Sequence, residues 1–315
     1  MPTTVDPEAL LAKLAGDPAA RLRPGQREAV DALVEGRRVL LVQRTGWGKT
    51  AVYFLATSVL RAQGRGPTLL VSPLLALMRN QVEAAQRMGL VVESVTSENS
   101  GEWARIEERL AADEVDLLLV SPERLANERF RRTALPHLAG TGLLVVDEAH
   151  CISDWGHDFR PDYRRVAAIL DELRPGSPVL ACTATANDRV VADVSAQLGD
   201  DLLVLRGALR RDGLSLHVLE LPSQADRLAW LATAVPEMPG TGIIYCLTIR
   251  DTEVVASWLE ANGIAAAAYS GEVSSEERLV AESALLGNRV KAVVATSALG
   301  MGYDKPDVGF VVHFQ

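Results

Sequence analysis

Short runs of consecutive apolar residues recur along the chain, each followed by a stretch in which apolar positions return every three or four residues. Runs of the first kind mark strands buried on both faces and stretches of the second mark crossover helices, so the pattern predicts βαβ units and parallel sheets. In the first part of the chain the predicted strands are Val39 to Val42, Thr68 to Val71, Val91 to Val95, Val115 to Val120, Leu143 to Val146, Val179 to Cys182 and Leu202 to Leu205. Helices are predicted over Gln26 to Glu35, where Ala29, Val30, Leu33 and Val34 share one face and Gly36 suits the C-terminal cap. Further helices follow Thr50, Pro73, Glu102, Pro161 and Asn187. The rhythm pauses through Gly207, Arg210, Arg211, Asp212 and Gly213, a polar, glycine-flanked stretch that reads as a linker. Strands resume at Leu214 to Leu221, Gly242 to Cys246, Ile264 to Tyr269, Val290 to Ala295 and Gly309 to Phe314, with helices from Ala225, Asp251 and Ser274. The chain is therefore expected to be α/β, with one domain over 1–207, a linker at 208–213 and a second domain over 214–315. No helix follows the last strand, which leaves the second domain expected as incomplete, because one face of its parallel sheet would lie open.

Composition agrees with two folded domains. The 315 residues are about twice the ~150-residue domain prior, and 48% hydrophobic against 23% charged residues can build a sizeable core. Lys+Arg 32 against Asp+Glu 41 gives a net charge of −9, which excludes a wholesale basic surface but leaves a local nucleic-acid site open. Cys151, Cys182 and Cys246 lie far apart, which excludes a disulfide framework or a cysteine zinc cluster and fits a reducing cytosol, bacterial cytosol or nucleoid being the expected location. Asp6, Glu8 and Lys13 sit in the first amphipathic stretch, so no secretory signal is expected, and no apolar run reaches the ~18 residues of a membrane span. No membrane partner is expected. Basic charge is almost all arginine, and Lys13, Lys49, Lys291 and Lys305 are the only lysines.

One of them sits in a motif. Gln43-Arg44-Thr45-Gly46-Trp47-Gly48-Lys49-Thr50 follows the first predicted strand and opens a helix, the context of a P-loop. Backbone N–H groups around Gly46 and Gly48 can converge on phosphate oxygens where no side chain intrudes, and the helix N-terminus adds a favourable dipole. Thr45, Gly46, Trp47, Gly48, Lys49 and Thr50 are thus candidate ATP ligands, with Lys49 reaching the β and γ phosphates and the Thr50 hydroxyl on Mg²⁺. A glycine-containing turn with a surface lysine is the plainer reading of the same residues.

A second motif removes most of that alternative. Leu143 to Val146 runs into Asp147-Glu148-Ala149-His150, placing two carboxylates at the carboxyl end of a buried strand, where open α/β sheets bind ligands. Asp147 can hold Mg²⁺, and Glu148 can orient and deprotonate the attacking water. Adjacent carboxylates there would repel each other without a cation.

Directly after this Asp-Glu-Ala-His box comes Cys151-Ile152-Ser153-Asp154-Trp155-Gly156-His157-Asp158-Phe159-Arg160-Pro161-Asp162-Tyr163, which resembles the RecQ family of ATP-dependent DNA helicases. The glycine that the usual P-loop carries at the position of Gln43 is commonly varied in such superfamily-two helicases. The resemblance implies two RecA-like P-loop domains and DNA-stimulated ATP hydrolysis driving 3′–5′ unwinding in repair and recombination, on single-stranded and forked or junction DNA. Trp155, His157 and Phe159 offer stacking faces worth roughly 1–3 kcal/mol per base and Arg160 a cation for phosphate. Trp155 and Phe159 also read as core aromatics, since loop aromatics often anchor their loop.

The rest of the chain resembles other pieces of that motor. Arg23-Pro24-Gly25-Gln26 resembles the adenine-reading motif, with Gln26 on the base edge and Arg23 beside it, though Pro24-Gly25 alone is also a helix-entry turn. Ser72 to Gln81, with Arg79, and Val120 to Leu125, with Ser121 and Arg124, resemble the DNA-backbone motifs and are otherwise ordinary strand-to-helix junctions. Cys182-Thr183-Ala184-Thr185-Ala186 resembles the motif relaying nucleotide state, with Thr183 and Thr185 near His150; capping by Thr185 or Asn187 is the plainer reading. Gly242 to Cys246 and Val293 to Pro306 resemble the fourth and fifth motifs, which puts Asp304 at the nucleotide. Leu247-Thr248-Ile249 and Ser270-Gly271-Glu272 depart from the family pattern. The arginine-bearing sixth motif is not reached by Gln315, so a fragment is expected, and the competing expectation is a module that binds ATP and nucleic acid but turns ATP over weakly.

Overall fold

The computed structural model describes residues 6–73, 75–96, 99–153, 161–174, 176–199, 201–208, 213–299, 305 and 307–315, and side chains are not described at 75–80, 161, 164, 167, 171 and 275. The chain divides into two compact units, 1–213 and 214–315.

The first unit is built on seven strands, β1 (Arg38–Val42), β2 (Thr68–Val71), β3 (Val92–Val95), β4 (Leu117–Val120), β5 (Leu143–Val146), β6 (Val179–Thr183) and β7 (Leu203–Arg206). They lie in the order β3-β4-β2-β5-β6-β1-β7, and each pairing is parallel. Around them run α1 (Pro7–Ala15), α2 (Gln26–Val34), α3 (Lys49–Ala62), α4 (Leu75–Arg87), α5 (Trp103–Ala111), α6 (Glu128–Thr133), α7 (Arg165–Glu172) and α8 (Asp188–Leu198). Successive strand residues face opposite ways. Leu40, Val42, Leu69, Val71 and Val146 pack among Ile106, Phe130, Val166 and Val194 of α5 to α8, while Val39, Leu41, Leu70, Val145 and Leu180 pack among Leu11, Leu33, Phe54 and Ala85 of α1 to α4. Both faces are covered, which is why these strands read as unbroken apolar runs.

Parallel pairing gathers the carboxyl ends of all seven strands along one edge. Register places Val42 beside Thr183, Val146 beside Ala181, and Val71 between Val146 and Val120. The segments leaving β4, β2, β5, β6 and β1 therefore line up in that order.

The second unit has β8 (Thr241–Tyr245), β9 (Ala266–Tyr269), β10 (Ala292–Ala295) and β11 (Val308–His313), ordered β11-β8-β10-β9 and parallel. Helices α9 (Gln224–Glu237) and α10 (Ile249–Ala261) share a core with one face through Leu231, Val255 and Ile244, and α11 (Ser275–Leu286) covers the other through Leu285 and Val293. Helix starts follow the sequence signals: Ser223 with Asp226 and Ser274 with Glu277 form reciprocal capping boxes.

One predicted strand is corrected. Residues 214–221 form no strand, and Leu216 and Val218 are 88% and 87% exposed. Their apolar alternation satisfies the strand template, but a strand exists only where its N–H and C=O groups find a ladder, and this segment pairs with no described strand. No described helix is long and apolar enough to cross a membrane.

Candidate functional site

The turn from β1 into α3 needs glycine for two reasons. Gly46 and Gly48 have φ of +76° and +96°, a conformation that a side chain resists, and a Cβ on Gly48 would stand 2.6 Å from the Gln26 amide nitrogen. Gly48 also caps α3, whose first N–H groups have no partner within the helix. Lys49 folds back over this cradle, its ammonium donating to the Gln43 carbonyl at 3.0 Å and lying 3.5 Å from that of Arg44. Thr45 is exposed beside it and Trp47 is buried.

The Arg23 to Gln26 turn braces the cradle from outside. Arg23 donates a guanidinium N–H to the Gly46 carbonyl. The buried Gln26 amide donates to the carbonyls of Trp47 and Gly48 at 3.0 and 3.2 Å and accepts from the Arg23 N–H at 2.8 Å. Gln26 is expected from sequence on an adenine edge, but here its amide is engaged with the phosphate loop, and a base would compete for those groups.

Across β6, the end of β5 delivers the acidic pair. Asp147 is buried, its Oδ1 accepting from the Glu148 N–H at 3.0 Å and its Oδ2 from the Gln81 amide at 3.2 Å, while the Tyr163 hydroxyl donates to its carbonyl at 2.8 Å. Glu148 is held at φ +50°, ψ +46°, a left-handed conformation that costs an ordinary residue roughly 1–2 kcal/mol and turns its side chain out of the strand register. Its Oε2 lies 3.2 Å from His150 Nδ1, which lies 3.0 Å from the Thr183 hydroxyl. An ionised carboxylate only accepts, so Nδ1 carries the ring proton. The Thr183 hydroxyl in turn donates to the Thr185 carbonyl at 3.0 Å and accepts the Thr185 N–H at 3.1 Å. The four residues Glu148, His150, Thr183 and Thr185 thus form one polar chain, a close carboxylate–imidazole contact followed by hydrogen bonds, from the acidic pair to the end of β6.

Burial pushes the Asp147 carboxyl up to about 6, the Glu148 charge acts in the same direction, and the Glu148 N–H, Lys49 and Gln81 oppose it. The folded protein therefore binds this proton more tightly than the unfolded chain does. The resulting cost to the fold is absent below the unfolded value near 3.8, grows as pH rises towards about 6, and reaches at most about 3 kcal/mol above it in the ligand-free protein. Asp147→Asn is accordingly expected to raise the urea midpoint of unfolding at about pH 7.5 and to lose that advantage at about pH 4. An equal midpoint at both pH values would show that Asp147 carries no such burden.

The donor set fits a magnesium nucleotide. A glycine cradle at a helix N-terminus, an ammonium, a hydroxyl at Thr50 and a carboxylate at Asp147 are what phosphates and a hard cation need, since Mg²⁺ takes one or two protein oxygens beside phosphate and water. Two buried polar atoms without a partner lie on the segment that follows β2, Ser72 Oγ at its start and Gln81 Oε1 on α4, and the Gln81 amide reaches Asp147.

Ser72 and Ser121, expected on a DNA backbone, are buried at 0% and 7% exposure, so neither hydroxyl is presented to a strand passing over the surface. Arg124 lies over the Trp103 ring at 5.3 Å, with Arg129 at 5.5 Å. The side chains of Arg79, Trp155, His157, Phe159, Arg160 and Asp304 lie outside the described residues. Sequence reasoning did not single out Tyr53, Tyr163 or the individual role of Gln81; Tyr53 lies one helical turn beyond Lys49 and Thr50, a spacing that would have pointed to it.

Comparison with known proteins places this geometry. Residues 23–194 match the DEAD/DEAH box helicase family and residues 226–315 the helicase conserved C-terminal domain. The chain is 34% identical to ATP-dependent DNA helicase Q1 of Rattus norvegicus, 35% to ATP-dependent helicase SGS1 of Saccharomyces cerevisiae and 32% to ATP-dependent DNA helicase RecQ of Haemophilus influenzae, in each case over 93% of its length. It covers 48%, 20% and 46% of those proteins, so it spans about half of their length or less. The resemblance to RecQ helicases read from the sequence is borne out. Among solved structures, S. cerevisiae Dbp5 bound to RNA and ADP BeF3 matches with TM-score 0.75 at 18% identity over 99% of this chain and 79% of that one. The DUF1998 helicase MrfA bound to DNA and AMPPNP matches with TM-score 0.78 at 19% identity, over 100% of this chain and 47% of that one. The fold is that of two RecA-like domains with parallel sheets flanked by helices.

Proposed function

The chain belongs to the DEAD/DEAH box helicase family, and on that premise we propose that it carries the motor of an ATP-dependent DNA helicase whose hydrolysis is stimulated by single-stranded DNA. The observation that carries this reading is the chain from Glu148 through His150 to Thr183, which joins the carboxylate next to the phosphate loop to the end of a neighbouring strand. Lys49 leaves the carbonyls of Gln43 and Arg44 for the β and γ phosphates, whose charge it stabilises in the transition state. The Thr50 hydroxyl and Asp147 carboxylate would hold Mg²⁺, which supplies charge neutralisation on the phosphates when bound. Glu148 accepts the proton of the attacking water, oriented by the His150 N–H on its other oxygen. Because His150 also bonds Thr183, a change at the carboxylate is felt at the end of β6, which is how hydrolysis can be linked to DNA.

Trp155, His157, Phe159 and Arg160 supply stacking faces and a cation for a single strand, Arg79 and Arg124 contact its phosphates, and Asp304 faces the nucleotide. Unwinding runs 3′ to 5′, single-stranded and forked or junction DNA are the substrates, and the setting is a bacterial cytosol or nucleoid in repair and recombination. The test is ATP hydrolysis by this chain with and without single-stranded DNA, and with single-stranded RNA in its place. Stimulation by DNA in excess of that by RNA is expected; equal rates with and without DNA would overturn the helicase reading.

A further inference from the structure

Two side chains outside the established machinery tie the helix that carries Thr50 to the other candidate metal ligand, Asp147. Tyr53, on α3 and 1% exposed, stands three residues beyond Thr50 on the same helix. Its hydroxyl takes an N–H of the Gln81 amide at 2.9 Å, and the amide nitrogen also lies 3.2 Å from Asp147 Oδ2. Gln81, on α4, is 3% exposed, so both of its N–H groups are spent inside the unit, one on the phenol and one on the carboxylate. Tyr53, Gln81 and Asp147 form a hydrogen-bonded series running from the P-loop helix, through the helix that follows β2, to the end of β5.

The cost of this arrangement indicates its purpose. Burial raises the Tyr53 phenol well above its ordinary range, so it stays a neutral donor and acceptor. Gln81 Oε1 is buried without a partner, a cost that an apolar residue of the same size would avoid. A series made only for packing would not keep an amide here. Partners of metal ligands, by contrast, fix the ligands' orientation, and changing them typically costs about 10–100-fold in metal affinity or activity.

We propose that Tyr53 and Gln81 form a positioning bridge that holds Asp147 against the helix carrying Thr50, at the separation and orientation a magnesium nucleotide requires, an inference that rests on the nucleotide-motor reading above. Neither residue touches the reacting atoms; each acts through a ligand. Since α4 begins three residues after Ser72, the bridge also ties the segment expected at DNA to the metal-holding carboxylate.

The experiment uses the full chain and a fluorescent ADP analogue, titrating Mg²⁺ and reading equilibrium binding with no hydrolysis involved. Tyr53→Phe removes one oxygen, and Gln81→Met keeps volume while removing the amide. Both are expected to raise the half-saturating Mg²⁺ concentration by about tenfold or more while leaving nucleotide binding in EDTA unchanged. An unchanged Mg²⁺ midpoint in folded variants would reduce both residues to packing and overturn the bridge while leaving the motor reading intact. Should Gln81→Met fail to fold, Tyr53→Phe decides the question. If the unsubstituted chain binds nucleotide with no dependence on Mg²⁺, the motor reading fails and the bridge with it.

Discussion

Glu148→Gln is expected to lower kcat for ATP hydrolysis by about 10²–10⁴-fold while the protein still binds nucleotide. The substitution removes the proton acceptor and little else. A glutamine Oε1 can still accept the His150 Nδ1–H that now lies 3.2 Å from Glu148 Oε2, so the chain to Thr183 is kept. The left-handed backbone at φ +50° is as accessible to Gln as to Glu, so no new strain arises. Loss of the charge also relieves Asp147, whose carboxyl Glu148 helps to raise, so metal binding improves slightly. Steady-state phosphate release together with equilibrium binding of a fluorescent nucleotide separates the two effects. A fall of less than about tenfold in kcat would remove Glu148 from the role of base.

Lys49→Ala acts earlier and on both quantities. Its ammonium is the only lysine in the first unit's sheet edge and is held by two carbonyls of its own loop, ready to exchange them for phosphate oxygens. Removing a preorganised charge stabiliser costs about 10²-fold or more in kcat. A second consequence follows from Asp147: Lys49 holds that carboxyl down against burial, so its removal lets the carboxyl rise above about 6. Metal-dependent nucleotide binding in the variant should therefore need a more alkaline pH than in the unsubstituted chain. Binding measured across about pH 5.5 to 8.5 checks the direction, and a midpoint moved to lower pH would contradict the coupling.

The strand pattern was legible because each buried strand carries its own record. Val39 to Val42 and Leu143 to Val146 are apolar at every position since both faces are covered. Leu214 to Leu221 carried apolar alternation through Val218 and misled, because alternation reports a face and says nothing about a pairing neighbour. Ser72 and Ser121 carry a related ambiguity: a hydroxyl after a strand can face solvent or the interior, and packing against other elements selects the interior here. Gln26 matched a base-reading pattern, yet its amide was claimed by a loop about twenty residues away.

What the sequence alone determined is the chemistry at the strand ends: Gly46, Gly48, Lys49 and Thr50 in one turn, Asp147, Glu148 and His150 in another, each a local motif whose spacing reflects backbone geometry at that point. What only the tertiary structure decided is which of these ends lie together and what fixes them. Thr183 reaches His150 because β6 lies between β5 and β1, and Gln81 meets Tyr53 and Asp147 because β2 lies beside β5. Strand order is set by the packing of whole helices on a twisted sheet, a property of the assembled core that no single stretch of chain contains.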